Sequence, residues 1–257
     1  MRLYAIISNY HWKSHILVIP YCDSDNLSLT QEEKIMKLEP KTRLLMIGDS
    51  ITDCGRDREA PIGDDSSFGS GYVEIVNAVL TAACPSSEIT IINRGIGGNT
   101  VRDLKGRWQE DALDLKPDWM SVMIGINDVA QQIGDNPNPN AVEIDEYTET
   151  LDGLLAATRP NLLGLVLMTP YYLQSDTRNP MRSLMDSYGL VVRDMAQKYD
   201  AIFVDTQAAI DRLIAVIDPL KISADRIHVN KVGAMTLAMA FLEGIELDFN
   251  ALPFICS

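Results

Sequence analysis

The sequence predicts an α/β domain: a three-layer, doubly wound sheet of about five parallel strands with helices on both faces. Three observations carry this reading. Short, continuously apolar runs recur along the chain, the pattern of strands buried on both sides. Amphipathic helical stripes separate them, which requires crossover connections and hence parallel pairing. No Pro- or Ser-rich linker and no repeat divides residues 41–257, which are expected to form a single domain.

The first strand is Arg43–Gly48 (RLLMIG). After Gly71, residues Tyr72, Ile75, Val76, Val79, Leu80 and Ala83 fall three and four apart, and Pro85 stops that helix. Ile89–Asn93 (ITIIN) is the second strand, and Thr100 caps a helix running through Leu104 and Trp108. Trp119–Ile124 (WMSVMI) is the third strand, followed by a helical stripe of Ile144, Tyr147, Leu151, Leu154 and Leu155. Leu163–Met168 (LGLVLM) is the fourth, closed by Thr169 and Pro170. The longest stripe runs from Met181 to Met195, with its methionines read as core filler. Ala201–Asp205 (AIFVD) is the fifth strand, and helices follow near 208–217 and 232–242.

Composition narrows the function classes. Apolar residues make up 46% and charged residues 23%, which suits a globular chain and not a disordered one. No apolar run reaches the roughly 18 residues of a membrane span. Lys and Arg total 22 against 36 for Asp and Glu, a net charge of −14 that repels phosphate backbones, so no nucleic-acid or membrane partner is expected. Cys22, Cys54, Cys84 and Cys256 form no CxxC pair, and their spacing suits free thiols in a reducing cytoplasm. With histidines only at positions 11, 15 and 228, no metal centre is expected.

Residues 1–40 read differently, as an N-terminal extension. Asn9, His11, Lys13 and His15 interrupt any apolar stretch, so a signal peptide is not expected. Codons for Gln31–Ile35 include a purine-rich stretch ahead of Met36. Met36 is therefore a candidate natural start; the other reading is a disordered terminal arm.

In a doubly wound sheet, reactive groups lie beyond the carboxyl ends of the strands. After the first strand comes Gly48-Asp49-Ser50-Ile51-Thr52, a serine on a strand-to-helix turn where a nucleophile is exposed, although these are also ordinary turn residues. After the second comes Gly95-Ile96-Gly97-Gly98-Asn99-Thr100, whose glycines free backbone N–H groups to face an anion; for Gly98 an oxyanion donor and a tight turn are equally good readings. It is not GxGxxG, and no P-loop lysine follows. After the third comes Gly125-Ile126-Asn127-Asp128, where a neutral amide suits a developing oxyanion and an Asn-Asp turn is the plainer reading. Late in the chain, Asp225-Arg226-Ile227-His228 places an aspartate three residues before the domain's only histidine, close enough to orient the imidazole.

Together these four blocks resemble those of the SGNH, or GDSL, hydrolase family, over about residues 41–245. Longer stretches are similar to its acetylxylan-esterase-like branch: GDSITDCGRDR at 48–58, GNTVRDLKGRWQEDAL at 98–113, KPDWMSVMIGINDV at 116–129, MTPYY at 168–172 and FVDTQAA at 203–209. Two positions depart from it: Val229 follows the histidine where members often carry proline, and Ala224 precedes Asp225 where the branch often has tryptophan.

The resemblance implies the flavodoxin-like SGNH fold and a serine esterase needing no cofactor. Ser50, His228 and Asp225 would be its triad; the Ser50 and Gly98 N–H groups and the Asn127 amide would form the oxyanion hole, with Asp49 and Asp128 in support. Asp205, ending the fifth strand, is the rival to Asp225. The loops at 54–71, 129–143 and 171–180 are polar, favouring a short acyl group on a sugar. Tyr171 and Tyr172 are candidates to stack on that sugar, with ordinary core packing an equal alternative for one of them, while Trp108 and Trp119 are assigned to the core. The branch points to acetyl groups on xylan-derived oligosaccharides taken into the cell, and a homo-oligomer is compatible with such an enzyme. The alternatives are a lysophospholipase or thioesterase for longer acyl chains, and a catalytically dead carbohydrate-binding module.

Overall fold

Five strands are present among the described residues: β1 (Arg43–Gly48), β2 (Thr90–Gly95), β3 (Trp119–Met123), β4 (Gly164–Met168) and β5 (Ile202–Val204). The computed structural model describes residues 36–133 and 137–251. All strand pairs are parallel, in the order β2-β1-β3-β4-β5. The chain thus starts mid-sheet, steps to one edge, then reverses past β1, which leaves a topological switch point between β1 and β3. β1 has its expected bounds, and the other four strands differ from theirs by one or two residues at an end, as the hydrogen-bonding pattern is not written in hydropathy.

Alternation within each strand fills two cores. Leu44, Met46, Val166 and Met168 face one side, where they meet α2 (Tyr72–Ala83), α7 (Thr206–Ile214) and α8 (Lys231–Gly244). Leu45, Ile47, Leu165 and Leu167 face the other, against α3 (Val101–Trp108), α5 (Ile144–Thr158) and α6 (Pro180–Lys198). The α6 methionines 181, 185 and 195 are buried, as is Trp108, whose indole N–H donates to Thr158 Oγ1 at 2.8 Å. Trp119 is buried too, its ring filling the space over Gly164. No described helix is long and apolar enough to cross a membrane.

The expected boundary at residue 41 needs correction on the described side. Met36 and Leu38 are only 5% and 3% exposed and belong to the α2/α8 core, and Lys37 N–H donates to Ile245 O at 2.8 Å. Both side chains are apolar, and leaving water for the core is reason enough to dock. Residues 1–35, with the proposed leader and the first 35 positions of the extension, lie outside the described residues.

Two short helices escape a hydropathy reading: α1 (Ser50–Asp53) and α4 (Ile126–Ala130), of four and five residues. α1 lies almost on β2. A Cβ at Gly95 would stand 2.0 Å from Asp53 N, so only glycine permits this approach. Gly95→Ala is expected to lower stability by about 1–3 kcal/mol, since backbone must move. Urea denaturation measures this; an unchanged midpoint would show that α1 retreats freely.

Candidate active site

The first three loops leave the sheet from one level. Gly48 pairs with Gly95 on one side and with Met123 on the other, so the residues that follow β1, β2 and β3 converge. Ser50 opens α1 behind Asp49, which caps that helix by accepting from Ile51 N–H at 3.0 Å. As the first residue of a helix, Ser50 presents an unpaired N–H. Gly98 is exposed with φ +81, a conformation that glycine adopts without strain. Asn127 stands on α4 and donates one amide hydrogen to Asn99 O at 2.9 Å, which orients the side chain beside Gly98.

The fourth block comes from the loop ahead of α8. His228 Nε2 lies 2.9 Å from Ser50 Oγ, and His228 Nδ1 lies 2.6 Å from Asp225 Oδ2. The other carboxylate oxygen, Oδ1, accepts from His228 N–H at 2.8 Å, Ile227 N–H at 2.9 Å and Ser223 Oγ at 2.8 Å. Partial burial alone would raise the Asp225 pKa. Hydrogen bonds from the His228 ring, from two backbone N–H groups and from Ser223 outweigh it and hold the carboxyl well below the usual range. Asp205 is instead the N-cap of α7, accepting from Ala208 N–H at 2.8 Å.

Ser50, Asp225 and His228 therefore form one hydrogen-bonded line, and Gly98 and Asn127 are joined through Asn99. Of the two candidate tyrosines, one takes the core alternative. Tyr171 is 2% exposed and its hydroxyl donates to Ile227 O at 2.9 Å. Its ring is enclosed and cannot stack on a sugar; it props the backbone just before His228. Tyr172 is half-buried, packed against the α3/α5/α6 core.

Hydropathy and strand-end reading missed two supports. Asp53 is 7% exposed, accepts from Gly97 N–H at 3.0 Å and is held by Arg58 at 2.6 Å, so it ties the glycine loop to α1. Buried Asn93 donates to Thr52 O and Phe68 O and accepts from Gly95 N–H, joining the same pieces. Asp53 lies inside the stretch at 48–58 and Asn93 ends the expected second strand, but a buried polar residue in such a place gives no hydropathy signal.

These positions match the model of the GDSL-like lipase/acylhydrolase family over residues 46–235. The chain belongs to the GDSL-like lipase/acylhydrolase family. It is similar to the acetylxylan esterase of Geobacillus stearothermophilus, 46% identical over 216 residues, which cover 83% of this chain and 98% of that protein. The crystal structure of that esterase superposes with a TM-score of 0.80 over the same shares of the two chains. An alpha/beta hydrolase enzyme from the metagenome of Lake Arreo, Spain, is 41% identical with a TM-score of 0.80, covering 83% of this chain and 99% of that one. Solved variants of the Geobacillus esterase include catalytic mutants in which a serine, an aspartate, and a histidine three residues beyond it are each replaced by alanine. As a GDSL acylhydrolase, this chain is a carboxylic ester hydrolase.

Two further carboxyls lie beneath the cleft. Burial pushes Asp49 up to about 7, opposed by the hydrogen bond from Ile51 N–H and reinforced by Asp128. Burial likewise pushes Asp128 up to about 7, against the hydrogen bond that Val101 N–H donates to Oδ1 at 3.0 Å. Asp128 Oδ2 is buried without a hydrogen-bond partner among the described residues. The folded state thus keeps a proton that the unfolded chain releases near pH 4. Its stabilisation is full below that pH and is lost as pH rises through about 7. Asp128→Asn removes the titration, so the melting temperature of the variant minus that of the wild type is expected to climb by several degrees from pH 5 to pH 8. A constant difference across that range would refute the buried-proton account.

Proposed function

We propose that the chain is a serine esterase that removes acetyl groups from xylan-derived oligosaccharides or related sugars. The observation that carries it is the unbroken line from Ser50 Oγ through His228 to Asp225, at 2.9 and 2.6 Å, beside the Gly98 and Asn127 donors. The similar Geobacillus protein, an acetylxylan esterase, supports the substrate class. So do the rim loops: residues 55, 57–59, 61–66 and 175–178 are all exposed and mostly polar or charged, which suits a sugar better than a fatty chain.

The chemistry follows from the geometry. His228 Nε2 takes the Ser50 hydroxyl proton as Oγ bonds to the ester carbon. The carbonyl electron pair moves onto oxygen, and that oxyanion accepts hydrogen bonds from Ser50 N–H, Gly98 N–H and the Asn127 amide. Asp225, held anionic, stabilises the imidazolium and keeps its Nδ1–H in place. Collapse of the tetrahedral species breaks the bond to the sugar oxygen, which takes the proton from His228. Water then repeats the sequence on the acetyl-serine, releasing acetate.

Incubation with acetylated xylo-oligosaccharides, with acetate release followed by NMR, tests the substrate; intact oligosaccharide after prolonged incubation would reject it. Ser50→Ala and His228→Ala should each remove on the order of 10⁶ in kcat, and Ser50→Ala should abolish fluorophosphonate labelling. Asn127→Ala should cost about 10²–10³. Asp225→Asn is expected to be far more damaging than Asp205→Asn; the reverse order would move the acid to the end of β5.

A further inference from the structure

A small pocket of about 30 Å³ opens beside Ser50 and His228. Besides Gly71, its other walls are Ile51, Cys54, Tyr72, Val229, Ala234 and Leu237. Ile51, Tyr72, Ala234 and Leu237 are each at most 7% exposed. The Tyr72 hydroxyl is engaged by Thr52 Oγ1 at 3.1 Å, so the tyrosine contributes an apolar wall. Two glycines let the walls close. A Cβ at Gly71 would stand 2.9 Å from Cys54 Sγ, and a Cβ at Gly233 would stand 2.4 Å from Val229 Cβ. Neither Gly98 nor Asn127 borders the pocket.

Elimination identifies the occupant. The carbon bonded to Ser50 Oγ in the tetrahedral species carries three other groups. The oxyanion belongs with Gly98 and Asn127, away from the pocket. The leaving oxygen carries a sugar, which is polar and many times too large. Only the acyl tail is apolar and small. A water-sized group needs about 10–15 Å³ of such space, so the pocket takes roughly two heavy atoms. We propose that this pocket is the acyl site, and that Val229, Ala234 and Leu237 limit it to an acetyl or propionyl tail. The inference rests on the serine-esterase reading and adds the residues that set chain length. It also gives a place to Val229, one of the two departures from the family pattern.

The test is kcat/KM for p-nitrophenyl acetate, propionate, butyrate and octanoate, together with phenyl formate, which carries no tail. In the wild type kcat/KM should drop about 10–200-fold from propionate to butyrate. Leu237→Ala should raise the butyrate-to-acetate ratio at least about tenfold, by the same per-methylene scale. Val229→Ala, a half-buried site, should shift it in the same direction and decides the matter should Leu237→Ala not fold. Ala234→Val fills the space, so acetate turnover should fall at least about tenfold while formate turnover is kept. Ratios unmoved in active Val229→Ala and Leu237→Ala enzymes, or octanoate turned over as fast as acetate by the wild type, overturn the pocket and leave the esterase standing. A wild type that hydrolyses none of these esters and resists fluorophosphonate overturns the esterase reading, and the pocket with it.

Discussion

The backbone register of β1 between its two neighbours is the constraint on which the site depends. Hydrogen bonds set Gly48 level with Gly95 and with Met123, so three loops leave the sheet along one line. Ser50, Gly98 and Asn127 each follow within a few residues and need no long excursion to meet. The close seat of α1 on β2 requires Gly95, and Asp53 and Asn93 then lock the glycine loop to that helix. His228 reaches Ser50 from a loop braced at its back by Tyr171 and by Leu173, whose N–H donates to Arg226 O and whose carbonyl accepts from the Arg226 guanidinium. Hydrogen bonds from neighbouring elements thus position the loops that the proposed chemistry uses.

Aspartates around the cleft show how environment alone divides one residue type. Asp49 and Asp128 lie in the interior with few donors, and the loss of hydration outweighs those donors. Asp225 sits half-exposed and collects four donors, so its anion is favoured. An acid that must face an imidazolium is useful only when charged. The two buried carboxyls instead brace helix starts: Asp49 caps α1, and Asp128 accepts from the first residue of α3.

Much of the fold was legible because buried parallel strands write themselves as apolar runs, and all five appear within a residue or two of their observed ends. Thr100 was legible as a cap, and the structure shows its full reciprocal box with Asp103. The short helices α1 and α4 were not, since four or five residues are too few to show a helical period. Which of Tyr171 and Tyr172 packs inward was not legible, because the polar rim and the buried prop begin at adjacent residues and composition does not say which tyrosine turns in. The same limit applies to Met36 and Leu38, two apolar residues in a segment that otherwise resembles a tail.

The order of strands and helices, the serine, glycine, asparagine and aspartate–histidine blocks, and their places after strands could all be taken from the chain alone. Those features depend on local composition and on the fixed geometry of parallel crossovers. Distances from Ser50 to residues nearly two hundred positions away, the protonation of buried acids and the size of the apolar pocket were decided only by tertiary packing. Each depends on which distant side chains exclude water from a given point, and a linear sequence does not encode that neighbourhood directly.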